Sequence, residues 1–120
     1  MTRQSGSAAV EVALVLPLIL ALLLAVAEVA VVARTQLELV NGAREGARVA
    51  AVSPEPSDAV AAVQEALGEK AIEARISVTR PHVVGENAVV AIAFRHRLAP
   101  FLFGGTAVEL RASAAMRVER

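Results

Sequence analysis

The chain has no cysteine, no tryptophan and no tyrosine, and its only aromatic side chains are three phenylalanines. Without thiols it can form no disulfide, hold no thiolate-bound metal and offer no cysteine nucleophile. Charge of one sign is missing too, since twelve basic and twelve acidic residues cancel. A balanced chain offers no basic stripe to a phosphate backbone, and three Phe make no platform for base stacking. Histidine is limited to His82 and His96, with no acid cluster joining them. No Ser-His-Asp set, phosphate-cradling glycine loop or H-E-x-x-H motif can be assembled. The expectation is a protein without enzyme activity, cofactor, metal or nucleic-acid partner.

What the chain does have is apolar length. Of its 120 residues 56% are hydrophobic, high for a soluble domain, and the excess lies in the first third. From Ser7 to Ala33 the sequence reads SAAVEVALVLPLILALLLAVAEVAVVA. Its roughly 27 residues would rise about 40 Å as a helix, whereas a bilayer core needs only about 20 residues. A cleaved secretory signal has a shorter apolar core ending at a small-x-small site, so residues 7–33 are read as a retained transmembrane helix. Pro17 removes one backbone donor and is expected to bend the helix or loosen its first turns. Glu28, near the far end, either reaches the membrane interface or contacts a neighbouring helix or subunit. Glu11 sits one turn inside the start, where an ionised carboxylate costs up to about 2.5–3.5 kcal/mol in hydrocarbon. It either reaches the headgroups or has a positive partner, from another chain or a newly made amino terminus.

The stretch Gly6-Ser7-Ala8-Ala9-Val10-Glu11 resembles the processing site of type IV prepilins, where a peptidase cuts after Gly and a Glu is fifth in the mature chain. The longer stretch GSAAVEVALVLPLILALLLAVAEVA is similar to the start of TadE-like proteins, minor pseudopilins of tight-adherence (Flp-type) pilus systems. Those typically read G-A-A-A-V-E-F-A-L-V-L-P, then leucines and a Glu near the helix end. Ser7 stands here for the usual Ala, and Val12 for the usual aromatic. The resemblance implies a leader at 1–6, cleavage between Gly6 and Ser7 by a prepilin peptidase, and charge pairing in assembly by Glu11. It implies as partners other pilin or pseudopilin subunits, the membrane assembly platform and lipid.

Residues 34–52 are expected to continue the first helix. Leu37, Val40, Ala43, Ala47 and Ala50 recur near helical spacing, and Arg34 can pair with Glu38 one turn on. Gly42 and Gly46 form a small-xxx-small pair that lets another backbone approach. The block Ala43-Arg44-Glu45-Gly46-Ala47-Arg48 is a second point of resemblance to TadE-like sequences. Arg44, Glu45 and Arg48 are either a solvated face or a contact with a neighbour just outside the membrane. Arg3 lies on one side of the span and Arg34, Arg44 and Arg48 on the other, which by the positive-inside rule puts the C-terminal side in the cytoplasm. The processing motif puts it outside, and that is the orientation expected here: a single-pass protein of the cytoplasmic (inner) membrane.

Residues 53–120 read as a small extracytoplasmic module. Ser53-Pro54-Glu55-Pro56 breaks the helix. Ser57 or Asp58 can cap a second helix with Val60, Val63 and Leu67 on one side and Gly68 near its end. Strands are expected at 74–79, 88–98 and 108–119, with His96 in phase with the apolar face of the second. Phe101-Leu102-Phe103 forms an apolar loop, either a core plug or an exposed contact patch. About 65 residues make a marginal core, so the sheet should need the outer half of the long helix. The expected fold class is α+β: a long N-terminal membrane helix running into a head of one further helix and a three-stranded antiparallel sheet, the lollipop shape of pilins. The alternative function is a single-pass anchor whose outer domain binds an envelope or secreted partner.

Overall fold

The computed structural model describes residues 2–119. Met1 of the expected leader, and the Arg3 side chain that entered the charge count, lie outside the described side chains. Helix α1 (Thr2–Val52) carries the whole N-terminal half, and the molecule extends 82 × 21 × 18 Å. Then come α2 (Pro56–Leu67), a 3-10 segment (Gly68–Ile72), β1 (Ala74–Thr79), β2 (Asn87–Arg97), the short α3 (Pro100–Phe103) and β3 (Ala107–Arg117). The strands form one antiparallel sheet in the order β1-β2-β3.

Strand alternation sets which residues meet the helices. Ala88, Val90, Ile92 and Phe94 of β2 point inward and are buried. Their register partners Met116, Ala114, Ala112 and Leu110 on β3, and Val78, Ile76 and Ala74 on β1, share that face. Facing them is a stripe on α1 made of Leu39, Ala43, Ala47 and Ala50, with Ala59, Val63 and Leu67 of α2 closing the core. The head therefore does use the outer half of the long helix as a wall, and a sheet covered on one face is the ordinary antiparallel solution.

Hydrogen bonds to backbone carbonyls give the direction. Gln36 Nε2 donates to the Arg111 carbonyl (2.8 Å), Arg80 Nε to the Ala50 carbonyl (2.8 Å) and the Glu119 N–H to the Ala51 carbonyl (2.9 Å). β3 thus runs along α1 in the same sense, and β2 against it.

The structure corrects several local expectations. The first turns are not loosened, since α1 is helical through Pro17 back to Thr2; a proline forfeits only the bond to the carbonyl four residues earlier, and the rest of the ladder holds. α2 starts at Pro56 with Glu55 as N-cap and no side-chain cap. Proline suits the first helical turn, and the Ser53 hydroxyl is spent on Asp58, inside that turn. Leu37 is 64% exposed and Leu39 takes its place in the core stripe of α1, while Ala43, Ala47 and Ala50 are buried as expected. On α2 the deepest positions are Ala59, Val63 and Leu67, with Val60 half-buried. Phe101-Leu102-Phe103 is a helical turn rather than a loop.

One ion pair clasps the 3-10 segment to α1. Glu38 accepts from Arg34 (3.2 Å), as the four-residue spacing predicts, and also from Lys70. The hydrogen bond from Lys70, before the contribution of Arg34, holds the Glu38 carboxyl below its ordinary range against a smaller opposing effect of burial. A depressed carboxylate contributes stability that is complete above the unfolded value, near 4.3, and is lost as pH falls through the folded one. Acidification below about pH 4.3 should therefore destabilise the head, and Lys70→Met should flatten that pH dependence. Because both groups are a third exposed, the effect expected in pH-dependent melts is about 0.5 kcal/mol.

Candidate assembly surface

Two different surfaces share α1. From Val10 to Val31 its large apolar side chains are exposed in every direction, with Leu14 at 73% and Leu18 at 70%. A helix apolar all round has no polar face for water, and this one is long and apolar enough to cross a membrane once. From Thr35 onward the helix is one-sided: Thr35, Leu39, Gly42, Ala43, Gly46, Ala47 and Ala50 are buried, and Arg44 and Arg48 face solvent.

Glu11 lies in the first surface, exposed beside Val12, Val15, Leu16 and Ile19. Among the described residues it has no hydrogen-bond or ion-pair partner, so the carboxylate is available to a group outside the chain. Gly6, five residues earlier, is on the same helix and in open space, a Cβ there meeting nothing within 4 Å. Glycine costs about 1 kcal/mol in a helix relative to alanine, and Gly6 lies within two turns of the start of α1. The bond after Gly6 is therefore at a place where the helix opens cheaply.

Glu28 has a partner that sequence reasoning missed. Its Oε1 lies 3.0 Å from Nε2 of His96, both side chains more than four-fifths buried. Within the described head, Glu28 thus serves a contact of the chain's own. With Glu28 ionised, Nε2 carries the proton. The signal was present but divided: Glu28 falls on the helix face that continues the core stripe, and His96 on the inward phase of β2. Nothing local links residues 68 apart.

The small-residue pair is also occupied from within. A Cβ on Gly46 would lie 2.4 Å from Val63 Cγ2 and 3.1 Å from Val90 Cγ1, and one on Gly42 3.1 Å from Leu67 Cδ2. What packs on these glycines is the chain's own α2, through its side chains and, at Gly46, the Ala59 carbonyl, with β2 side chains behind it. The block at 43–48 thereby divides. Ala43, Gly46 and Ala47 make the contact with the head. Glu45 borders α2 beside Ala62 and Ala66, and accepts from Arg48 Nε (3.1 Å). That bond keeps the Glu45 carboxyl below its ordinary range. Arg44 stays exposed. Among the described residues no group of three His, Asp or Glu is placed to hold a metal ion.

Residues 6–48 match the family model described as TadE-like protein. The chain is TadE-like over this segment. The match starts at Gly6 and stops at Arg48, so it takes in the exposed apolar helix, Glu11, Glu28 and the small residues under α2, and none of the strands. The match supports an association with the Tad pilus system. No curated protein and no solved structure matches the chain. The TadE-like segment is thus one continuous helix with two duties, a lipid-compatible lower part and an upper part that serves as the head's wall.

Proposed function

We propose that this chain is a minor pilin or pseudopilin, made as a single-pass precursor of the inner membrane and cleaved after Gly6 by a prepilin peptidase. The module at 53–120 lies outside the cytoplasm. The apolar helix then acts in assembling or priming a Flp/Tad-type pilus, a filament system of adhesion and secretion, through other pilin subunits and the membrane platform. The observation that carries this reading is Glu11: a carboxylate without a partner among the described residues, on a helix apolar all round, fifth after a glycine.

Cleavage would supply what Glu11 lacks. With Ser7 first, the new amine and Glu11 are one helical turn apart on the same face, so the amine of the same or an adjacent subunit can reach the carboxylate. Two charges that leave water together as a pair cost far less than either alone, and their pairing fixes the axial register of neighbouring helices.

The test is to coexpress the chain with a prepilin peptidase and read the mature amino terminus by mass spectrometry. A terminus at Ser7, abolished by Gly6→Val, is expected. A terminus that stays at Met1 or Thr2 with active peptidase present defeats the reading and leaves the alternative of an anchor whose head binds an envelope partner.

A further inference from the structure

The β2–β3 connection closes the head on the side from which the apolar helix leaves it. Moving down β3 from Glu119 to Arg111 is moving down α1 from Ala51 to Gln36, and His96, paired with Val108, meets Glu28 lower still. Residues 98–106 therefore lie beyond Glu28, alongside the apolar turns that precede it. The half-buried positions of α1 continue there through Ala25 and Ala21, the latter about 10 Å below Glu28 along the axis.

This turn is apolar and outward-facing. Phe101 is 74% exposed and Phe103 38%, two of the three Phe in the chain. It is also largely self-contained. The N–H groups of Leu102 and Phe103 donate to the Ala99 carbonyl, that of Gly104 to Pro100, and both the N–H and hydroxyl of Thr106 to Phe103. A turn with most of its amides satisfied within itself can enter an interfacial zone that offers them few partners. Just above it, Arg95 and Arg97 are exposed on β2.

We propose that the β2–β3 turn is a lipid-contacting foot, with Phe101 and Phe103 inserted into the interfacial zone of the leaflet through which α1 emerges and Arg95 and Arg97 facing its headgroups. The proposal rests on the reading that α1 crosses the membrane. The occupant is the bilayer because the turn stands beside a helix that is exposed and apolar on all sides; the medium that covers Leu22, Leu23 and Val26 laps the turn as well. Basic side chains at that depth are attracted to an anionic surface. A head held by both helix and foot cannot swivel freely about α1, so its outer sheet face is presented at a fixed angle to the membrane.

Lacking Trp, the chain accepts one as a single reporter. Phe101→Trp, Leu20→Trp and Val84→Trp, each in the full chain, are reconstituted in phosphatidylcholine–phosphatidylglycerol vesicles containing lipids brominated at shallow or deep acyl positions. Phe101→Trp should emit at blue-shifted wavelength and be quenched severalfold more than Val84→Trp, which sits on the opposite turn, with shallow bromines the more effective. Leu20→Trp, at mid-span, should be quenched best by deep bromines. Quenching at position 20 with none at 101 overturns the foot and leaves the membrane helix standing. No quenching at either position removes the membrane reading and the foot with it. A blue shift at 101 that is insensitive to bromine and grows with protein-to-lipid ratio identifies contact with a second copy, and likewise overturns it.

Discussion

Gly46→Val is expected to unfold the head. The first added atom, Cβ, would already stand 2.4 Å from Val63 Cγ2, 3.1 Å from Val90 Cγ1 and 3.5 Å from the Ala59 carbonyl oxygen. Val63 and Val90 are fully buried, and Ala59 contributes backbone, so none of the three can swing aside. Overpacking of this kind costs about 1–3 kcal/mol and occasionally more, and the branched side chain belongs at the upper end. A head of this size has a total stability on the order of 3–10 kcal/mol, so the loss is a large fraction of it. The measurement is protection of the 53–119 module from protease in detergent micelles, where α1 stays helical and masks the change in circular dichroism.

Two controls make the result specific. Gly42→Ala meets one tight contact, Leu67 Cδ2 at 3.1 Å, with Leu67 Cγ and Ile92 Cδ1 at an ordinary 3.4 Å. A flexible leucine can yield, and alanine gains about 1 kcal/mol of helix propensity, so that variant should be close to neutral. Val63→Ala removes the atom that Gly46→Ala would strike. The Gly46→Ala/Val63→Ala double variant should accordingly be more stable than the sum of the two single changes by about 1 kcal/mol, the size expected for residues in direct contact. Simple additivity would mean that α2 does not cross α1 at Gly46.

These contacts also show where sequence reading reaches and where it stops. β1 is legible at Ala74–Thr79 because alternation of Ile76 and Val78 with polar neighbours is a local signal and Pro81 bounds it. The inward phase of β2, including His96, follows in the same way. The long helix and its continuation to Val52 need only the lack of a breaker before Ser53-Pro54. What was not legible depends on pairs distant in sequence. Gly42 and Gly46 announce a close approach without saying that α2 makes it. Glu28 and His96 are each readable as inward-facing, yet only folding brings them within 3.0 Å. Phe101 and Phe103 read alike as plug or patch, since an apolar run does not reveal whether anything covers it. The 3-10 segment at Gly68–Ile72 carries no sequence signature, being closed by the ion pair from Lys70 to Glu38.

Glu11 is the position where fold and function separate most cleanly. Among the described residues it has no polar partner and it lies outside the head's core, so Glu11→Ala should leave the head as stable as before. Removing a carboxylate from an apolar helix should leave membrane insertion intact or improve it, by up to about 2.5–3.5 kcal/mol on insertion scales. Assembly should move the other way. On the proposed cleavage, the amine freed at Ser7 would without the carboxylate enter the helix bundle uncompensated, and breaking a buried pair by removing one partner costs about 3–5 kcal/mol. That corresponds to a loss of two orders of magnitude or more in subunit association. Co-purification of tagged chain with its pilin partners, scored against membrane content, reads both effects at once. Glu11→Gln, which keeps the shape and loses the charge, should fail nearly as badly, and Glu11→Asp should retain part of the association. Wild-type association with Ala at position 11 would remove the charge pair from the mechanism. The helix would then have to find its register through apolar packing alone, on a surface that has no stripe to define one.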